Sequence, residues 1–143
     1  MKFLLDANVV SELRKGLRCH PRVSEWFRKL APEEVFLSVV TVGELRKGVE
    51  LIRRRDPKVA EQIDTWLARV VSTQEDRILA VDLPAAELWG RLNSPHPLPV
   101  IDSLLAATAI THGMVVASRN IGDISRTGAA WVNPFTGEEG ASR

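Results

Sequence analysis

The stretch MKFLLDANVVSEL, residues 1–13, sets a short apolar run, Phe3-Leu4-Leu5, directly against a carboxylate, Asp6. A continuous apolar run of this length is the pattern of a strand covered on both faces, and helix-compatible residues follow at once. Asp6 therefore falls at the C-terminal end of a buried strand. In an open α/β sheet that edge is where ligands bind, which makes Asp6 a candidate site residue. Asp6 or Asn8 is equally a candidate cap for the helix that follows.

Outward from this stretch, strands and helices alternate. Ala7 to Lys15 reads as a helix closed by Gly16, and Pro21 opens a second with Val23, Trp26, Phe27 and Leu30 at apolar spacing. VFLS (35–38) is the next strand. Thr41 then starts a helix as the first residue of a capping box completed by Glu44, with Val42, Leu45, Val49 and Ile52 on one face. Asp56-Pro57 opens another, carrying Val59, Ile63, Trp66, Leu67 and Val70, and the two form a hairpin. ILAV (78–81) is a third strand, and Pro84 to Leu92 a helix with Leu88, Trp89 and Leu92 inward. NSPHPLP (93–99) is a loop, since each proline removes a donor and disfavours helix before it. Ile101 to His112 is helical and ends at Gly113, MVVAS (114–118) is a fourth strand, and Ala129 to Val132 a fifth. The alternation predicts an α/β fold: three layers, with a mainly parallel sheet of four to five strands and helices on both faces. Residues 1–135 form one domain, and 136–143 a flexible tail.

Composition narrows the class. With 143 residues, 45% hydrophobic and 26% charged, the chain matches soluble globular domains, which excludes disordered and fibrous classes. Cys19 is the one cysteine, so an intrachain disulfide framework and a Cys-rich zinc site are excluded, and a reducing, cytoplasmic setting fits. The N-terminus offers no signal-peptide or membrane-spanning run. Net charge is only +1, yet Arg14, Lys15 and Arg18, then Arg46 and Lys47, then Arg53, Arg54 and Arg55 concentrate positive charge in the first half. Such a stripe suits a polyanion, although most charge runs are solvated helix faces.

Four acids share one expected edge. Asp6 ends the first strand, Glu44 lies in the first turn of the helix after the second, Asp102 opens a late helix, and Asp123 follows the fourth strand in SRNIGDI. Strand C-termini and the N-termini of the following helices share a rim in a parallel sheet. Each acid has a local explanation: a cap for Asp6, the capping box for Glu44, the helix dipole for Asp102, a turn for Asp123. None of these explains why all four reach the same rim. Their mutual repulsion would raise their pKa values unless a cation compensates. Hard oxygen ligands without Cys or His-x-His spacing suit Mg²⁺ or Mn²⁺ rather than zinc. Such an ion supports phosphodiester hydrolysis, with an acid not bound to it taking the proton from the attacking water. Asn8, Thr41, Ser118 and Asn120 would orient the ligands, and Arg119 would meet a phosphate. His20, His96 and His112 belong to no nucleophile motif, and no glycine-rich phosphate loop follows the first strand.

The stretches FLLDANVVSEL, LSVVTVGELRKGV, IDSLLAATAITHGMVVASRNIGDI and the terminal NPF resemble PIN-domain proteins, specifically the VapC-type toxins of bacterial toxin–antitoxin pairs, including their FitB-like branch. The similarity runs from Lys2 to about Phe135. It implies a three-layer PIN-like fold and an Mg²⁺- or Mn²⁺-dependent endoribonuclease held inactive by a cognate VapB-like antitoxin. Carried across by motif, the catalytic and metal-binding acids are Asp6, Glu44, Asp102 and Asp123. The chain departs from the family pattern at Ala7, where Thr is usual, at Ser118, also usually Thr, and at Ile124, usually Phe; some relatives carry an acid at the position of Asn120. The resemblance further implies an RNA substrate met by Arg46, Lys47, Arg53, Arg54 and Arg55, a homodimer, assembly with antitoxin into a hetero-oligomer, and no membrane. Two alternatives belong to other classes: a Mg²⁺-binding, receiver-like signalling domain, and a PIN-fold module that binds RNA or antitoxin without cutting.

Overall fold

The computed structural model describes residues 1–140. Phe3–Leu5 is strand β1, and all three of its residues are buried because both of its faces are covered. Phe3 and Leu5 point into one apolar layer and Leu4 into the other, as strand alternation requires. The first layer is built by α1 (Ala7–Leu13), α2 (Pro21–Arg28), α3 (Val39–Arg53) and α4 (Pro57–Thr73), through Val9, Val23, Val49 and Leu67. The second is built by α6 (Val100–Thr111) and α7 (Ile121–Ser125), through Leu105, Ala106, Ala109 and Ile124. Helix α5 (Leu83–Leu92) packs on α6. Among the described residues no helix is long and apolar enough to cross a membrane.

The sheet between these layers has six strands in the order β3-β2-β1-β4-β5-β6, where β2 is Val35–Ser38, β3 Ile78–Leu79, β4 Val115–Ala117, β5 Trp131–Val132 and β6 Glu139–Gly140. All neighbours run parallel except β5 and β6. From β1 the chain builds outward to β2 and β3, then returns to lay β4 and β5 on the other side. The strand order thus reverses between β1 and β4, and the crevice beyond their C-terminal ends is the position that favours a ligand site.

Three expectations need correction. The sheet has six strands rather than four or five, because part of the expected tail is ordered: β6 pairs antiparallel with β5, Trp131 opposite Gly140. A Cβ on Gly140 would come 2.5 Å from the Trp131 indole nitrogen, so only glycine lets this edge close. The remainder of that expected tail, 141–143, lies outside the described residues. Helix α3 begins at Val39, not Thr41, and its cap is Ser38, whose Oγ accepts from the Val40 N–H at 3.1 Å. Thr41 is buried in the first turn and donates to the Leu5 carbonyl at 3.3 Å, so the expected capping box does not form. The third strand is also shorter than 78–81, ending at Leu79.

Glu12 plays a structural part that its sequence context does not announce. It is buried, and it accepts from Lys15 Nζ at 3.0 Å and from the His20 backbone N–H at 2.8 Å, tying the end of α1 to the start of α2. The Lys15 hydrogen bond, then the His20 N–H, hold its carboxyl below the usual range.

Candidate functional site

Asp6 is the hub of the crevice between β1 and β4. It is buried, and its own N–H continues the sheet by donating to the Ala117 carbonyl at 2.9 Å. Its Oδ1 caps α1 by accepting from the Ala7 N–H at 2.8 Å, while Oδ2 accepts from Ser118 Oγ at 2.6 Å and Asn8 Nδ2 at 3.3 Å. The question of cap or site residue thus has a double answer, because one oxygen caps and the other faces the network. Asn8 also accepts from the Arg119 N–H through Oδ1 at 3.1 Å, and Ser118 Oγ accepts from the Asn120 N–H at 3.0 Å. The loop after β4 is therefore tied to the turn after β1 by side chains of both. Thr41 holds the Leu5 carbonyl one residue before Asp6, so it steadies the backbone that presents the acid.

Asp6, Asn8, Glu44, Asp102 and Asn120 line a single open depression of about 420 Å³ at this edge. Glu44 reaches it from the second turn of α3. Because Ser38 caps that helix, Glu44 is not consumed in a capping box. Asp102 reaches it from the first turn of α6. Asp123, in the first turn of α7, is not part of the lining and pairs with Arg126 at 3.1 Å. Its charge is nevertheless felt at Asp102. Burial, then the charges of Asp6, Asp123 and Glu44, push the Asp102 carboxyl above its ordinary range. These effects outweigh the helix dipole, which normally favours an acid in a helix's first turn.

The donor set consists of carboxylate, amide and hydroxyl oxygens, which fits a hard divalent cation. Among the described residues no three His, Cys, Asp or Glu side chains stand close enough to share one ion directly. The fit is thus to an ion such as Mg²⁺ that keeps most of its waters and takes one or two carboxylates, the others acting through water.

Asp102 is delivered by a device that the sequence reading did not single out. Ser103, fully buried, accepts from Trp89 Nε1 at 3.0 Å and donates to the Pro99 carbonyl at 2.7 Å, while Asn93 Oδ1 accepts from the Leu98 N–H at 2.8 Å. These bonds fold the proline-rich loop 93–99 against α5 and α6 and fix where α6 begins. The available signal was a serine between Asp102 and the apolar pair Leu104-Leu105. Ser103→Ala should cost about 1–3 kcal/mol by leaving the Trp89 N–H without its partner. A urea titration followed by tryptophan fluorescence reads this as a lower midpoint.

The basic candidates divide. Arg46 bridges Glu50 and Asp64, and Arg53 bridges Glu50, Glu61 and Asp64, at 2.8–3.2 Å. These two clasp α3 to α4, and their hydrogen bonds to the carboxylates raise both guanidinium pKa values. Their charge is largely offset. Lys47, Arg54 and Arg55 are exposed and have no ion-pair partner among the described residues.

Comparison with known proteins gives a consistent picture. The family model described as PIN domain matches residues 3–129. The chain is 34% identical over 141 residues to Toxin FitB of Neisseria gonorrhoeae, covering 92% of this chain and 97% of that one. It is 30% identical over 137 residues to VapC ribonuclease Y4jK of Sinorhizobium fredii, covering 92% and 96%. The crystal structure of FitAcB from Neisseria gonorrhoeae superposes with a TM-score of 0.82 at 34% identity, over 93% of this chain and 98% of that one.

Proposed function

The chain belongs to the PIN-domain family, and from that premise we propose that it is an endoribonuclease acting as the toxin of a toxin–antitoxin pair. The family match replaces the receiver-like alternative. The relatives named as toxin and as ribonuclease support the activity. The observation that carries the reading is the acidic depression itself, which three carboxylates from three distant stretches line and where Asp102 is held above its ordinary pKa. Evolving a fold with that repulsion makes physical sense if a cation relieves it.

In this reading Asp6 and Asp102 would hold an Mg²⁺ or Mn²⁺ ion, with Glu44 and Asp123 completing the acidic set. When bound, the ion would acidify a water and offset charge developing on a phosphoryl oxygen. Ser118 and Asn8 fix the orientation of the Asp6 carboxylate through their 2.6 and 3.3 Å hydrogen bonds. Glu44 takes the proton as water oxygen bonds to phosphorus, the bond to the leaving oxygen breaks, and that oxygen takes a proton from solvent to leave as a hydroxyl. Asn120 lines the same depression and Arg119 flanks it, both as donors to the phosphate. Lys47, Arg54 and Arg55 attract the RNA backbone. Residues 1–135 act as one catalytic unit, in the cytoplasm where the RNA is.

Purified protein free of antitoxin, incubated with total cellular RNA, should give discrete fragments with Mg²⁺ or Mn²⁺ and none in EDTA. Intact RNA despite calorimetric metal binding would turn the reading to a binding module that does not cut.

A further inference from the structure

Arg119 presents an electrostatic puzzle. It lies between Ser118, which donates to Asp6, and Asn120, which lines the acidic depression, and its backbone is pinned to Asn8. A guanidinium at the edge of an acid cluster would ordinarily collapse onto a carboxylate. Among the described residues Arg119 forms no ion pair, and its guanidinium carbon instead sits 4.5 Å from the centroid of the Phe135 ring. The negative face of the ring holds the cation by its quadrupole.

The ring is itself held. Phe135 is buried, and its N–H donates to Asn133 Oδ1 at 2.9 Å. Asn133 in turn bonds through its backbone to Glu138 and Gly137 at 2.8 Å, in the turn leading to β6. The His20 ring meets Phe135 nearly edge-on, with centroids 5.6 Å apart and planes at 68°. His20 is fixed by Glu12, which accepts its N–H. A continuous set of contacts therefore runs from the end of α1 to the guanidinium, and the terminal NPF segment supplies its central piece.

We infer that Phe135 is a positioning residue, whose ring keeps the Arg119 guanidinium off the carboxylates and presents its N–H donors to the phosphate of a bound RNA strand. The inference rests on the RNA-cleaving reading above. It assigns two consequences to one contact: the acids stay free for a cation, and a planar phosphate donor is already in place before substrate arrives.

The test uses the full chain with Arg119→Ala, Arg119→Lys, Phe135→Leu, Phe135→Tyr and the Arg119→Ala/Phe135→Leu double variant. RNA affinity is measured in EDTA across a salt series, and KM and kcat are measured separately with Mn²⁺. Phe135→Leu should weaken binding about two- to fivefold, the loss expected for one partly exposed cation–π contact. Phe135→Tyr, which keeps the ring face, should restore it. Arg119→Ala should lower the salt slope by about 0.7, one phosphate contact on a single strand. In that background Phe135→Leu should add nothing. Arg119→Lys, at an exposed position, tests the idea even where a ring variant folds poorly: it should keep the salt slope and lose affinity. Wild-type affinity in both Phe135→Leu and Arg119→Lys, or an equal Phe135→Leu loss with and without Arg119, overturns the inference while leaving the nuclease standing. Wild-type protein that neither binds nor cleaves RNA overturns both.

Discussion

Asp102→Asn is expected to abolish metal-dependent RNA cleavage and to make the metal-free protein more stable at neutral pH. Replacing groups that merely orient a metal ligand typically costs ~10–100-fold, so losing a ligand should cost at least about 100-fold. The stability effect has the opposite sign. Burial and the charges of Asp6, Asp123 and Glu44 raise the folded-state pKa of Asp102 above its unfolded value. Between those two values the folded chain binds more protons than the unfolded one, so stability falls as pH rises through that window. At neutral pH Asp102 is a burden that asparagine removes, because the buried carboxyl resists ionisation beside Asp6, Asp123 and Glu44. Below the unfolded value both states are protonated and the advantage disappears. Urea midpoints in EDTA should therefore show the variant ahead at about pH 7 and level with wild type below the ordinary carboxylate range. Adding Mn²⁺ should reverse the order, since wild type gains about 2.7 kcal/mol at a hundredfold excess over Kd and the variant does not. A variant less stable than wild type by the same margin at every pH would mean that Asp102 is a structural residue.

The same electrostatics explain how much of the molecule was legible in its sequence. Phe3-Leu4-Leu5 reads as a doubly covered strand because all three positions must be apolar, and the structure buries them on alternate faces. Once the strands alternate with helices, parallel topology brings the acids to one edge. That step follows from chain geometry and needs no side-chain detail, which is why Asp6, Glu44 and Asp102 were legible as a set. What failed were choices between near-equal local signals. Thr41 reads as the start of a helix because Glu44 follows it at capping-box spacing, but the Ser38 hydroxyl can cap and does, moving the start of α3 back by two residues. Arg46 and Arg53 look like free charge in one dimension, since Asp64 and Glu61 become their neighbours only when α4 folds back. The polar stretch after Phe135 looks like a tail. Its pairing depends on a glycine opposite Trp131, a contact no local pattern encodes.

Asp6→Asn and Asp6→Ala should separate the two roles that Asp6 combines. Asparagine keeps a side-chain oxygen for the Ala7 N–H, so α1 remains capped, and its amide replaces the oxygen that now accepts from Ser118 and Asn8. Ser118 can answer by rotating its hydroxyl to accept rather than donate. The fold should persist while the charge needed to hold a divalent ion is gone, so cleavage should fall by at least about 100-fold. Alanine removes both oxygens. The lost cap costs about 1 kcal/mol, and the buried Ser118 hydroxyl and the Asn8 amide are left without that acceptor, each costing up to about 1–3 kcal/mol. Both variants should be inactive, but only alanine should unfold at markedly lower urea. Cleavage surviving in a folded Asp6→Asn would make Asp6 a cap and nothing more. Equal destabilisation by both variants would mean that the carboxylate charge, rather than its oxygens, holds the crevice together. The crevice then could not have been selected for metal alone, because a charge that stabilises the empty protein needs no ion to justify it.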